Sequence, residues 1–118
     1  MQVYRMMKPQ EDGLPMVDAT MFGLGVRVRD IHPRVDGTVD PGTGGVSVSP
    51  SVDTLPRAAR AKGEQIFQLE TDALPEGLMH REDPLKPDEH GFIEPAYDMR
   101  FEHYHKLIRE TGGLWSPV

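Results

Sequence analysis

Residues 90–113 read HGFIEPAYDMRFEHYHKLIRETGG: an apolar pair, a proline and then a helical repeat. Phe92 and Ile93 form a short strand whose end Pro95 fixes, because proline has no N–H with which to continue a ladder. From Met99 to Glu110 the period changes. Phe101, Tyr104, Leu107 and Ile108 fall on one side of a 3.6-residue repeat, which predicts an amphipathic helix with those four side chains buried. His103 and Lys106 fall on its water side. Gly112-Gly113 stop the helix, since glycine accepts the backbone conformations that close a last turn.

Working back from this stretch, Gln65 to Leu69 (QIFQL) reads as a strand, rich in the residue types that suit a pleated surface. Between them, Asp72 to Glu89 holds three prolines and many charges and is expected to be a long ordered loop. Upstream, Asp53 or Thr54 can N-cap a helix with Pro56 in its first turn, Arg57–Lys62 as its body and Gly63 as its stop. Val46-Ser47-Val48-Ser49 alternates as a strand does and ends at Pro50, while Pro33 to Gly45 is turn chemistry. Leu24 to Ile31 (LGVRVRDI) also alternates, Leu24, Val26 and Val28 against Gly25, Arg27 and Arg29, which predicts a half-buried strand with its basic side open. The first strand is Gln2 to Met7 (QVYRMM), with Val3 and Met7 on one side and Tyr4 and Met6 on the other. Pro9 and Glu11-Asp12-Gly13 end it. Strands, short helices and long loops without regular βαβ spacing indicate an α+β fold.

The composition narrows the class. With 118 residues the chain fits one domain, 1–118. It has no Cys, which excludes a disulfide scaffold, a thiol enzyme or a Cys-ligated zinc site. A net charge of −6 leaves no basic excess for general binding to a nucleic-acid backbone. No apolar run approaches the roughly 18 residues of a membrane span, and MQVYRMMKPQ lacks a signal-peptide core, so a soluble protein of a reducing compartment is expected. Gly and Pro number 12 and 11, a high share that implies a small core carrying much ordered loop.

Few local motifs carry chemistry. Gly42–Ser49 (GTGGVSVS) combines glycines that admit close backbone approach with two serines, Ser47 and Ser49, on one strand side. It suits a ligand groove, and equally a glycine-rich turn entering an edge strand. No Gly-Lys-Ser/Thr follows, so it is not a P-loop. Arg5 in the first strand can clamp a phosphate or carboxylate, or lie solvated at an edge. His103 and His105 are about 200° apart on a helix and cannot chelate one ion together. A metal-dependent hydrolase built from His80, His90, His103 and His105 is therefore the least favoured reading, and no site is assigned to a metal. No GxSxG elbow supports a serine hydrolase.

The order of the pieces is more informative. Tyr4-Arg5 in an opening strand, Gly-Gly-Val-Ser in a second and a later acidic strand resemble the frame of ADP-ribosyltransferases. IFQLETDALPEGLMHREDP and HGFIEPAYDMRFEHYHKLI, followed by Trp115, resemble the tail of small bacterial type VI secretion toxin domains of that fold. The resemblance implies two small packed, mainly antiparallel sheets around a cleft with short flanking helices. It implies an antibacterial effector, cytoplasmic in its producer and delivered to the cytoplasm of a target cell. NAD would be its co-substrate, a protein or small molecule its target and a cognate immunity protein its partner. On the same grounds Arg5 would hold the NAD pyrophosphate, with Tyr4 beside it, and Ser47 and Ser49 would orient the nicotinamide ribose. His90 would be the tail-motif histidine, and Glu94 would stabilise the oxocarbenium-like charge, with Glu70 as the alternative acid. Glu94 is not the second member of a Glu-x-Glu or Gln-x-Glu pair. A non-enzymatic binding or interaction module on the same scaffold is the alternative.

Overall fold

Alternation in the first strand decides which side of it is dry. In the computed structural model, which describes residues 1–18, 22–55 and 63–118, β1 (Gln2–Met7) buries Val3 and Met7 completely in the main core. Tyr4 and Met6, on its other side, join a second apolar group with Ile66, Phe22, Val52 and Leu55. After β1 come β2 (Thr38–Val39), β3 (Val46–Val48), β4 (Gln65–Glu70), β5 (Leu78–Glu82), β6 (Gly91–Pro95) and β7 (Met99–Arg100). The helix α1 (Phe101–Arg109) and the short β8 (Ser116–Pro117) complete the described strands and α-helices.

The strands form small antiparallel sheets in the orders β1-β4-β8, β2-β7 and β3-β6-β5. The fold is α+β. The two three-stranded sheets meet where Tyr4 and Ser49 exchange backbone hydrogen bonds, each of 2.8 Å. Val46, Val48, Ile93 and Leu78 line the core side of one sheet, Val3, Phe67 and Leu69 that of the other. α1 closes this core with Tyr104 and Ile108, while Phe101 and Leu107 pack at its margin half-buried and His103 and Lys106 face water. The Tyr104 hydroxyl bonds across the core, donating to the Ile93 carbonyl and accepting from the Val46 N–H at 3.2 Å.

Three expectations need correction. Leu24 to Ile31 is not a strand: Leu24 and Val26 are buried, but the chain then turns at Arg27–Asp30 and leaves Val28 58% exposed. The turn is held by the Asp30 carboxylate, which accepts from the Arg27 N–H at 2.8 Å and pairs with its guanidinium at 2.9 Å. Secondly, Asp72 to Glu89 contains a strand, β5. Its side chains are mostly polar, and it is held at a sheet edge by pairing with β6. Thirdly, the turn-rich stretch Pro33 to Gly45 includes β2, which pairs with β7. Ahead of the helix expected over Arg57–Lys62, the chain makes a 3₁₀ turn, Val52–Thr54, capped by the Ser51 side chain. The body of that helix lies outside the described residues.

Candidate functional site

The seam between the two sheets opens into a cavity of about 550 Å³, within the ordinary range for small-molecule sites. β1 brings Tyr4 and Arg5 to it, β3 and the residue after it bring Ser47 and Ser49, and the residue before β6 brings His90. Tyr4, Met6, Phe22 and Leu55 make part of the lining apolar, and Arg27, Asp30, Asp83, Lys86 and Glu89 supply charges. The structure thus gathers five of the site residues expected from the sequence. Among the described residues, no side-chain hydrogen bond is formed by the hydroxyls of Tyr4, Ser47 or Ser49, so these groups are available to a ligand.

Arg5 has a different local role from the one expected of it. Its guanidinium donates to the Ser47 carbonyl at 2.7 Å and to the Gly23 carbonyl at 3.1 Å, tying β1 to β3 and to the loop before Leu24. Of its three nitrogens, only Nε is buried without a partner. Both terminal nitrogens of Arg5 are thus already engaged by backbone carbonyls of the protein itself. Burial pushes its pKa down to about 10, partly countered by Asp30, so it stays cationic at neutral pH. Its contribution to a ligand is a fixed positive charge behind the wall.

Glu94 lies elsewhere. It shares a sheet face with Phe92 and is 1% exposed, with Oε2 accepting from the Gly42 N–H and from Arg81 Nε, each at 2.9 Å. It does not line the cavity, so the role expected of it as the acid in the cleft is not met. The alternative acid, Glu70, sits at the end of β4 and bonds the N-terminal amine and Gln2. Gln68-Leu69-Glu70 is the chain's only Gln-x-Glu sequence. Its two polar members share a sheet face with Tyr4, which lies directly opposite Gln68.

The glycine run packs against the protein itself. A Cβ at Gly44 would lie 2.4 Å from the Asp30 carbonyl oxygen, and one at Gly45 2.6 Å from that of Ile93, with φ +141 and +151 respectively. Their neighbourhood is a tight turn feeding β3, not a cradle for an anion. Gly45 N–H donates to Asp30 and Gly42 N–H to Glu94.

One pair was not legible from motif reading. Asp83 and His90, at the two ends of the β5–β6 connection, meet at 2.9 Å between Oδ2 and Nδ1. The hydrogen bond to His90 and a second from the Leu85 N–H hold the Asp83 carboxyl below the usual carboxylate range. The only sequence signal was a charged residue at each end of a proline-containing loop, which solvated loops also show. Among the described residues no group of three His, Cys, Asp or Glu side chains is arranged to hold a metal ion, and no helix is long and apolar enough to cross a membrane. No protein-family model, curated protein or solved structure matches the chain.

Proposed function

We propose that this chain is a toxin-type domain of ADP-ribosyltransferase kind, whose cavity takes NAD as co-substrate. One observation carries the reading: Tyr4, Arg5, Ser47, Ser49 and His90, from three distant segments, line one cavity of about 550 Å³. Free hydroxyls, an aromatic ring and a buried cation suit a dinucleotide, which presents sugar hydroxyls, flat bases and a pyrophosphate. Breaking the bond between ribose and nicotinamide builds positive charge on the sugar, and an acid near it lowers that barrier. Neither Glu94 nor Glu70 lines the cavity, and we assign the role to Glu70 because it projects from the sheet face that carries Tyr4, whereas Glu94 is held by Arg81 and Gly42. In this reading the cell target is a protein or small molecule, and a cognate immunity protein protects the producer.

A second reading is binding without transfer, and the engagement of Glu94 with Arg81 and Gly42 favours it. Calorimetric titration with NAD followed by measurement of nicotinamide release separates the two. Transfer predicts binding and release, with release lost in Glu70→Gln and retained in Glu94→Gln as long as that variant folds. Binding alone predicts a heat of association with no nicotinamide released. Absence of association overturns both.

A further inference from the structure

We propose that Asp83 is a positioning residue: it fixes His90 with its proton on Nδ1 and so presents a bare Nε2 to the cavity as acceptor for a ligand hydroxyl. The proposal rests on the cavity's being a ligand site and names a residue and an atom in it that the functional reading does not use. An ionised carboxylate only accepts hydrogen bonds, so the 2.9 Å contact between Asp83 Oδ2 and His90 Nδ1 requires the proton to be on Nδ1. In the neutral ring Nε2 is then an acceptor. It has no hydrogen-bond partner among the described residues, and its residue lines the cavity.

The rest of the neighbourhood holds both members still. Asp83 Oδ1 accepts from the Leu85 N–H at 2.9 Å, and the Asp83 N–H donates to the His90 carbonyl at 3.0 Å, so the carboxylate is anchored to the loop it begins. The His90 ring meets Phe92 edge-on, centroids 4.7 Å apart and planes at 79°. The Arg81 guanidinium lies over that same phenylalanine ring, 4.8 Å from its centroid. With the ring's orientation and tautomer both set, the cavity offers one fixed acceptor beside several hydroxyls that can donate or accept. That set matches the vicinal hydroxyls of a ribose, one donating to Nε2 and its neighbour meeting a protein hydroxyl.

Nitrogen-15 NMR of the imidazole at about pH 8.5, above the usual histidine range, reads the tautomer directly. The expected result for His90 in the ligand-free protein is a protonated Nδ1 and an unprotonated Nε2; the reverse overturns the proposal. Asp83→Asn keeps an oxygen for the Leu85 N–H but turns an amide donor toward the ring. The expected result is a reversal of the tautomer with an unchanged unfolding temperature. Titration with NAD should then show about tenfold weaker binding, the size of one lost hydrogen bond. If Asp83→Asn does not fold, Asp83→Ser, which also caps the loop but leaves the ring unpaired, should show the same weakening. Equal binding of NAD by the wild type and a folded variant overturns the role of Asp83 and leaves the cavity reading intact. A wild type that binds no NAD overturns both the cavity reading and the ligand named here.

Discussion

Tyr104 shows how much one polar atom decides in a small core. The ring is fully buried, and its hydroxyl joins the Ile93 carbonyl of β6 to the Val46 N–H of β3. Burial also raises its pKa, so the phenol stays protonated and keeps its donor. Tyr104→Phe removes both bonds and leaves buried groups unsatisfied, a loss of about 2 kcal/mol. Tyr104→Ala adds a cavity and is expected to cost about 3–5 kcal/mol. Urea unfolding of the two variants checks the order. Gly45 makes the complementary case, since its backbone backs onto the Ile93 carbonyl and the Tyr104 hydroxyl. Gly45→Ala drives a Cβ against the Ile93 carbonyl and the Tyr104 hydroxyl, and a destabilisation of about 1–3 kcal/mol is expected. An unchanged denaturation midpoint would show that β3 and β6 can separate there without penalty.

At the level of elements, the parts readable from sequence were those whose burial has a period. α1 declared itself through Phe101, Tyr104, Leu107 and Ile108, β1 and β3 through apolar alternation, and β4 through residue types that suit a pleated surface. β5 was hidden because only Leu78 of its five residues is buried. Its place is set by pairing with β6, and pairing partners leave no mark in a local window. Leu24–Ile31 misled for the opposite reason: alternation was present, but the carboxylate of Asp30 bent the chain into a turn. The site was half legible on the same terms. Serines and an arginine on strands could be placed together, whereas the Asp83–His90 meeting depends on how β5 returns to β6. That connection should also be acid-sensitive. The Asp83 carboxyl is held low by His90 and Leu85, so its stabilising effect is complete above the unfolded carboxyl pKa of about 3.9 and is lost as pH falls through the lower folded value. Urea midpoints measured from about pH 6 down to about pH 2.5 should therefore fall less steeply in Asp83→Asn than in the wild type. Parallel curves would show that the carboxylate contributes nothing to the hairpin.

Across the whole molecule, the chain's single tryptophan sits in the main core, just before the C-terminal strand joins β4. Trp115 is 3% exposed, and its Nε1–H donates to the Thr111 hydroxyl at 3.1 Å, which itself donates to the Ile108 carbonyl at 2.7 Å. Just beyond it, β8 pairs with β4, and the Val118 N–H reaches the Ile66 carbonyl at 2.9 Å. Trp115 fluorescence should accordingly be that of a buried indole and shift to longer wavelength in one step with the loss of far-ultraviolet circular dichroism. Noncoincident transitions would mean that the C-terminal segment detaches before the core opens.

The mutual hydrogen bonds between Tyr4 and Ser49 have a consequence for the lifetime of the cavity. These two amides join the sheets at the wall of the cavity, so their hydrogens are shielded from solvent as long as the seam is closed. Their exchange with deuterium then measures how often the two halves part. A ligand held across the seam keeps it shut, and occupancy slows that exchange in proportion to the ratio of ligand concentration to dissociation constant. The same two protons would thus act as a clock for residence in the cavity, readable without any chemistry taking place.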